Sequence, residues 1–374
     1  MVDFTLTQEQ GALADSVRRF CERDYGAVRR QALIETEMPF SRENWRAIAD
    51  LGWIGAGLGE ADGGFGGSAI ETALVMQEFG RALVLEPFLG VAVLALQTLV
   101  ALPPGEERDA LVASMVAGDV ILALANAEPA SRGDLDYCSA VAQQTSAGWI
   151  ISGDKTSIPG GAAASMFLAS AQTQDGIALF LVDGAAPGVS TTRYRTIDNH
   201  HVADLRLIGA SARIIAVPPL AGRAIAAGYA HAQIALCAEA IGSMDAILAL
   251  TVDHIRTRRQ FGATLSSFQA VQHRLADMLV ELELARSTLY YGLAHIADTG
   301  ISRDHAVSTM KAITSSAALF VGRNAIQLHG AIGVTEECIV SHHYRRLTVI
   351  AALFGNEAVH LKRVSALVMP IWEE

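Results

Sequence analysis

His254-Ile-Arg-Thr-Arg-Arg-Gln-Phe-Gly-Ala-Thr-Leu-Ser-Ser-Phe-Gln-Ala-Val-Gln-His-Arg-Leu-Ala-Asp-Met278 is the stretch on which the reading of this 374-residue chain turns. Its first part is a cationic helix end, with Arg256, Arg258 and Arg259 ahead of a break at Gly262. Its second part restarts a helix. Ser266 and Gln269 have the spacing of a capping box, and Val271, Leu275, Met278, Leu279 and Leu282 recur at helical spacing on one face. The arginines therefore mark a joint between two long helices. Guanidinium forks match phosphate oxygens and suit such a joint to an anion. The same residues at a helix C-terminus also complement the helix dipole, so the triplet by itself leaves both readings open.

Around this joint the chain is acidic, with a formal net charge of −11, which argues against nucleic acid or an anionic membrane surface as partner. Its length exceeds one ordinary core, and 51% hydrophobic residues against 18% charged allow two or three domains. Cys21, Cys138, Cys237 and Cys338 are scattered without paired spacing and read as thiols of a reducing cytoplasm. The opening Met-Val-Asp-Phe-Thr-Leu-Thr-Gln-Glu-Gln lacks the basic-then-apolar order of an export signal, and apolar stretches are expected to break before membrane-spanning length. A soluble, cytoplasmic protein without a membrane partner is the expectation.

Residues 1–125 carry a helical period. Leu13, Val17, Phe20 and Cys21 mark one helix; Trp45, Ile48 and Leu51 mark another ending near Gly52. The glycine-rich Gly57 to Gly67 lacks both phosphate-loop spacings and reads as a loop needing positive φ, ahead of a helix from Ala69 to Gly80. Over 126–219 short apolar runs replace it (Val120 to Leu124, Trp149 to Ile151, Met166 to Ala169, Ile177 to Val182), separated by Ala147-Gly148, Asp175-Gly176 and Asp183-Gly184, which predicts a small antiparallel β domain. Long helices return over 220–374, with segments 222–256, 267–298 and 302–329 and a shorter terminal pair, predicting an antiparallel bundle. Gln327-Leu-His-Gly-Ala-Ile-Gly333 closes the third of them with glycines that end a helix or admit a close ligand.

Arg258-x-Gln260-Phe261-Gly262 with Phe268-Gln269 and Leu275-Ala-Asp-Met278, and this order of helical domain, β domain and bundle, closely resemble the acyl-CoA dehydrogenase family over essentially the whole chain. The resemblance implies a mainly α fold with a middle β domain and a C-terminal four-helix bundle. It also implies FAD as cofactor, with Arg258, Gln260, Phe261, Gln269, Gln327 and Gly330 reaching across a subunit interface to a neighbour's FAD. The glycine run is similar to the family's Gln-x-x-Gly-Gly-x-Gly, departing only at Ala331.

Two departures matter more. The loop that in the family hydrogen-bonds the flavin ring reads Ala127-Glu-Pro-Ala-Ser-Arg-Gly-Asp134, without the threonine, and no tryptophan remains near Ser157. Dehydrogenation of an acyl thioester needs a carboxylate to take the α proton. At the family's usual base position stands Phe354, and at the alternative position on the first bundle helix stands Ala232. These departures resemble the base-less small subunit of heteromeric acyl-CoA dehydrogenases acting on pimeloyl-CoA or steroid side-chain thioesters, implying an α2β2 heterotetramer in which a homologous chain carries the glutamate and the acyl-CoA. A self-sufficient dehydrogenase using Glu239 or Glu357 as a displaced base, and a non-enzymatic structural or regulatory homologue, stay open. His200-His201 and His342-His343 are discounted as metal ligands, because adjacent histidines point apart and lack companions at ligand spacing.

Overall fold

The computed structural model describes residues 5–37, 40–135 and 137–368. The first four residues, where the reading of the chain's start begins, and the end of the 220–374 segment lie outside the described residues. Helices α1 (Gln8–Asp24), α2 (Ala27–Ile34), α3 (Arg42–Asp50), α4 (Ala69–Ala82), α5 (Leu96–Val100) and α6 (Glu106–Val116) precede strands β1 (Leu122–Ala125), β2 (Val141–Thr145), β3 (Gly148–Pro159), β4 (Met166–Thr173), β5 (Gly176–Asp183), β6 (Val189–Arg195) and β7 (His201–Ala216). Then come α7 (Leu220–Thr257), a minimal hairpin of β8 (Arg259–Gln260) and β9 (Ala263–Thr264), and helices α8 (Gln269–His295), α9 (Ile301–His329), α10 (Ile339–Ala352) and α11 (Glu357–Val368).

By internal contacts the chain divides into two compact units. One takes in 31–68 and 85–232, the other the described parts of Met1–Arg30, Ala69–Val84 and Gln233–Glu374. The first holds the seven-stranded sheet, in which β4, β2, β3, β7 and β5 pair in a closed circuit and β6 adds to β7. The sheet is mixed, not purely antiparallel as expected: β1 runs parallel to β4, with Leu122 beside Met166. All four residues of β1 are buried, as suits a strand with both faces covered, and its uninterrupted apolar run hid its direction. The glycine-rich loop behaves as expected, with positive φ at Gly63 and Gly66. Leu51, counted with the buried face of α3, is half exposed because the helix ends at Asp50.

In the second unit α8, α10 and α11 pack against α9, and α1 packs against α4. A capping box opens α1, Gln10 N donating to Thr7 Oγ1 at 3.2 Å and Thr7 N to Gln10 Oε1 at 3.0 Å. The capping box expected at Ser266 does not form. Helix α8 begins at Gln269 with Phe268 as its cap residue, while Ser266 Oγ donates to Thr264 Oγ1 at 3.1 Å. Met278 and Leu282 are buried on α8 and Leu279 is not, because it stands one position round the helix from that stripe. One expectation is overturned: α7 contains an 18-residue window of mean hydropathy 1.6, long and apolar enough to cross a membrane. That window is 72% buried within the protein, so its apolarity serves the core.

Candidate functional site

The bundle unit brings the two cationic and glycine-rich motifs together. After α7 the backbone turns, with Arg258 N donating to His254 O at 2.8 Å and Leu265 N to Arg258 O at 2.9 Å. The β8–β9 hairpin then turns on Phe261 (φ +52°) and Gly262 (φ +79°). Two successive positive φ values suit Asn-Gly or Gly-Gly; a bulky residue there is strained by about 1–3 kcal/mol. Phe261 is nonetheless 92% exposed, touching Phe268 edge-on with 6.3 Å between ring centroids. Arg256, Arg258, Gln260 and Gln269 are exposed, and neither the Arg256 nor the Arg258 guanidinium has a hydrogen-bond or carboxylate partner among the described residues. Unpaired guanidinium groups on an acidic chain are a free anion site.

Gln327, on the last turn of α9, is exposed, and Gly330 ends the helix at φ +68° with open space where a Cβ would project. A contact not expected from the sequence joins this end to the arginine turn: the imidazoles of His254 and His329 stack at 4.4 Å, 26° from parallel. An FAD diphosphate fits this half. The donors are free, glycine backbone is accessible, and no acidic side chain is within ion-pair distance of the two unpaired arginines among the described residues.

In the β domain, Glu128 and the donors around Ser157 are engaged within the domain itself. Glu128, which survives from the family's loop, is buried and bound to its own domain. Its carboxylate accepts from Lys155 Nζ at 2.7 Å, Ser139 N at 2.8 Å and Ala140 N at 3.1 Å, and from the Ser139 hydroxyl. Burial alone would raise its pKa; hydrogen bonds from Lys155 and Ser139 outweigh that and bring it to about 2. Across the strand, Asp204 Oδ1 accepts from Ser157 N at 2.8 Å, Thr156 Oγ1 at 2.9 Å and the Tyr194 hydroxyl at 2.9 Å. Ser157 sits at φ +52° in an irregularity of the β3–β7 ladder. The donors around Ser157 are thus already engaged by a carboxylate, a partner missed in the sequence because Asp204 is 47 residues away.

The turn after α10 is tightly held. Phe354 (φ +62°) and Gly355 (φ +103°) are both left-handed. Fully buried Lys311 donates to Gly355 O at 3.0 Å, Ile350 O at 3.1 Å and Ser315 Oγ at 2.8 Å, and His360 Nε2 lies 3.0 Å from Phe354 O. Burial lowers the Lys311 pKa to about 8. Its signal was present in the sequence as the one Lys, Arg, Asp or Glu between Asp304 and Arg323. Neither open alternative base lies at this turn as a free buried group. Glu239 is buried and held by Arg346 in two bonds of 2.5 and 2.6 Å, and Glu357 is exposed at the start of α11. Ala232 is fully buried on α7 and offers only a methyl group. The paired histidines face apart, His342 to Arg30 at 2.9 Å and His343 to Ser243 at 2.8 Å.

Comparison with known proteins places these observations. The family models described as acyl-CoA dehydrogenase N-terminal, middle and C-terminal domains match residues 7–119, 123–208 and 222–369. The chain is 28% identical to acyl-CoA dehydrogenase FadE27 of Mycobacterium tuberculosis, over 97% of this chain and 98% of that one. Among solved structures it is similar to a variant of the Tcur3481-Tcur3483 steroid ACAD (TM-score 0.90, 28% identity, 99% of this chain and 100% of that one). It is also similar to a chain of the ChsE4-ChsE5 complex from Mycobacterium tuberculosis (TM-score 0.89, 27% identity, 98% and 99%).

Proposed function

Because this chain belongs to the acyl-CoA dehydrogenase family, whose cofactor is FAD, we propose that it is the base-less subunit of a heteromeric acyl-CoA dehydrogenase. In this reading Arg258, Gln260, Phe261, Gln269, Gln327 and Gly330 hold the diphosphate side of an FAD whose flavin ring rests on a homologous partner chain. Segments 1–125, 126–219 and 220–374 serve as its three domains, which the extents of the family models support.

The observation that carries the proposal is Phe354. A phenyl ring cannot take the α proton of an acyl thioester. When bound, FAD supplies the hydride acceptor for the Cβ hydrogen. This chain's own residues contribute an anion site and a fixed turn, but among the described residues no free buried carboxylate at Phe354, and its Ser157 donors are engaged by Asp204. The exposed, strained Phe261 fits a hairpin that completes its contacts on another chain. Similarity to the ChsE4-ChsE5 complex and the steroid ACAD supports a homologous partner and a steroid acyl-CoA substrate; in this reading the partner carries the glutamate and the acyl-CoA, and the assembly is α2β2. The use of acyl-CoA and four unpaired thiols support a cytoplasmic location.

The test is expression alone and with a homologue bearing the glutamate, each with native Phe354 and with Phe354→Glu. Alone, both forms should be nearly colourless and unable to reduce an electron-accepting dye with any acyl-CoA. Paired, both should co-purify with the partner, hold roughly one FAD per pair of chains and turn over equally. Robust turnover by either form alone would overturn the reading, and turnover by native Phe354 would favour a displaced base at Glu357.

A further inference from the structure

We infer that the stacked pair His254 and His329 is a proton-accepting element of the cationic turn, so that this site binds an anionic diphosphate together with one proton. The inference rests on the FAD reading above and specifies how that site is regulated. His254 lies four residues before Arg258 near the end of α7, and His329 is the last residue of α9, immediately before Gly330. Their stack, 4.4 Å between centroids, is the contact that joins the two halves of the anion site.

The two rings are set up differently. His329 Nδ1 is 2.9 Å from Ala325 O, so that nitrogen carries the hydrogen and Nε2 is the acceptor nitrogen. The ring nitrogens of half-exposed His254 have no partner among the described residues and can take a proton from water. The charged groups acting on His254 are His329 from α9 and Arg258 from its own helix end; no carboxylate is within ion-pair distance of either ring among the described residues. Burial, then His329, then Arg258 lower the His254 pKa below 6.5, so without a bound anion the neutral form of His254 is favoured. Two imidazolium rings 4.4 Å apart repel, so the stack accommodates one proton and not two.

A diphosphate diester at Arg258 reverses the sign of the local field. Opposite charge within about 4–6 Å favours the protonated imidazole, and its own charge does not change through the histidine range. Protonation is then stronger in the bound state than in the free one, so affinity rises as pH falls through the bound-state titration. Each unit by which binding raises the pair's pKa corresponds to about tenfold in affinity.

The experiment is calorimetric FAD binding to the full chain, alone and co-purified with its partner, at about pH 6 and about pH 8 in two buffers of different ionisation heat at fixed ionic strength. ADP-ribose, which carries the diphosphate without the flavin, is the second probe. Uptake of close to one proton and about tenfold tighter binding at the lower pH are expected with both probes, and both effects should vanish in a His254→Tyr, His329→Phe variant that keeps an aromatic stack. Binding that is flat with pH, or proton uptake that persists in the variant, overturns the inference and leaves the cofactor reading standing. Failure of FAD and ADP-ribose to bind at either pH, alone or paired, overturns both.

Discussion

Arg258 shows how much a single residue can carry here. Its guanidinium has no partner among the described residues, so replacing it removes none of their bonds and should leave the fold intact. Arg258→Ala should weaken FAD retention by the assembled complex about tenfold to a hundredfold, the loss of a charge-assisted hydrogen bond of about 1.5–3 kcal/mol. Release of FAD during dilution, followed by its fluorescence, measures this, and unchanged retention would remove Arg258 from the site. Phe354 is the opposite case. It is held by Lys311 and His360 in a left-handed turn, so a carboxylate placed there inherits that backbone geometry.

At the scale of elements, the crossing of α4 and α7 depends on two glycines. A Cβ on Gly242 would come 1.8 Å from Gln77 O, and one on Gly80 would come 2.0 Å from Glu239 O. Neither neighbour can yield, because both are backbone carbonyls of a helix. Gly242→Ala should therefore destabilise by about 3 kcal/mol or more, the upper range of overpacking. Gly222→Ala, on the same helix with open space at its Cβ, should stabilise by up to about 1 kcal/mol through helix propensity. Urea titrations of the two variants test the contrast; similar shifts in both would mean the crossing is looser than these distances require. The close approach also seats Glu239 beside α4, where Arg346 reaches it from α10 and the ion pair is sealed in.

For the whole molecule, buried neutral histidines set the acid limit. Burial, the largest cause in each case, lowers His343 to about 3 and His360 to about 4 from the ordinary 6.5. Their unfolded forms take up protons first as pH falls. Their contribution to stability is therefore full above about 6.5 and lost progressively towards pH 4 for His360 and pH 3 for His343, at up to about 1.4 kcal/mol per pH unit for each. Scanning calorimetry should show the melting temperature falling already between about pH 6.5 and 5, before most carboxylates titrate, with a shallower fall in His343→Gln. A melting temperature flat over that interval would mean that water reaches these rings.

The amino-acid sequence by itself determined the helix–strand–helix order, the boundaries of the long helices to within a few residues and the cationic joint. Those features are local or periodic, and a period or a short motif is visible without knowing what lies across from it. Only the tertiary structure decided which residues 44 to 107 positions apart would meet. Asp204 takes the donors at Ser157, Arg346 seals Glu239, Lys311 clamps the turn at Gly355, and His254 stacks on His329. The parallel pairing of β1 and the burial of apolar α7 belong with these. A fully covered element is apolar all round, so its pattern does not say what covers it; packing decides that, because a buried polar atom or apolar face is stable only against the group that satisfies it.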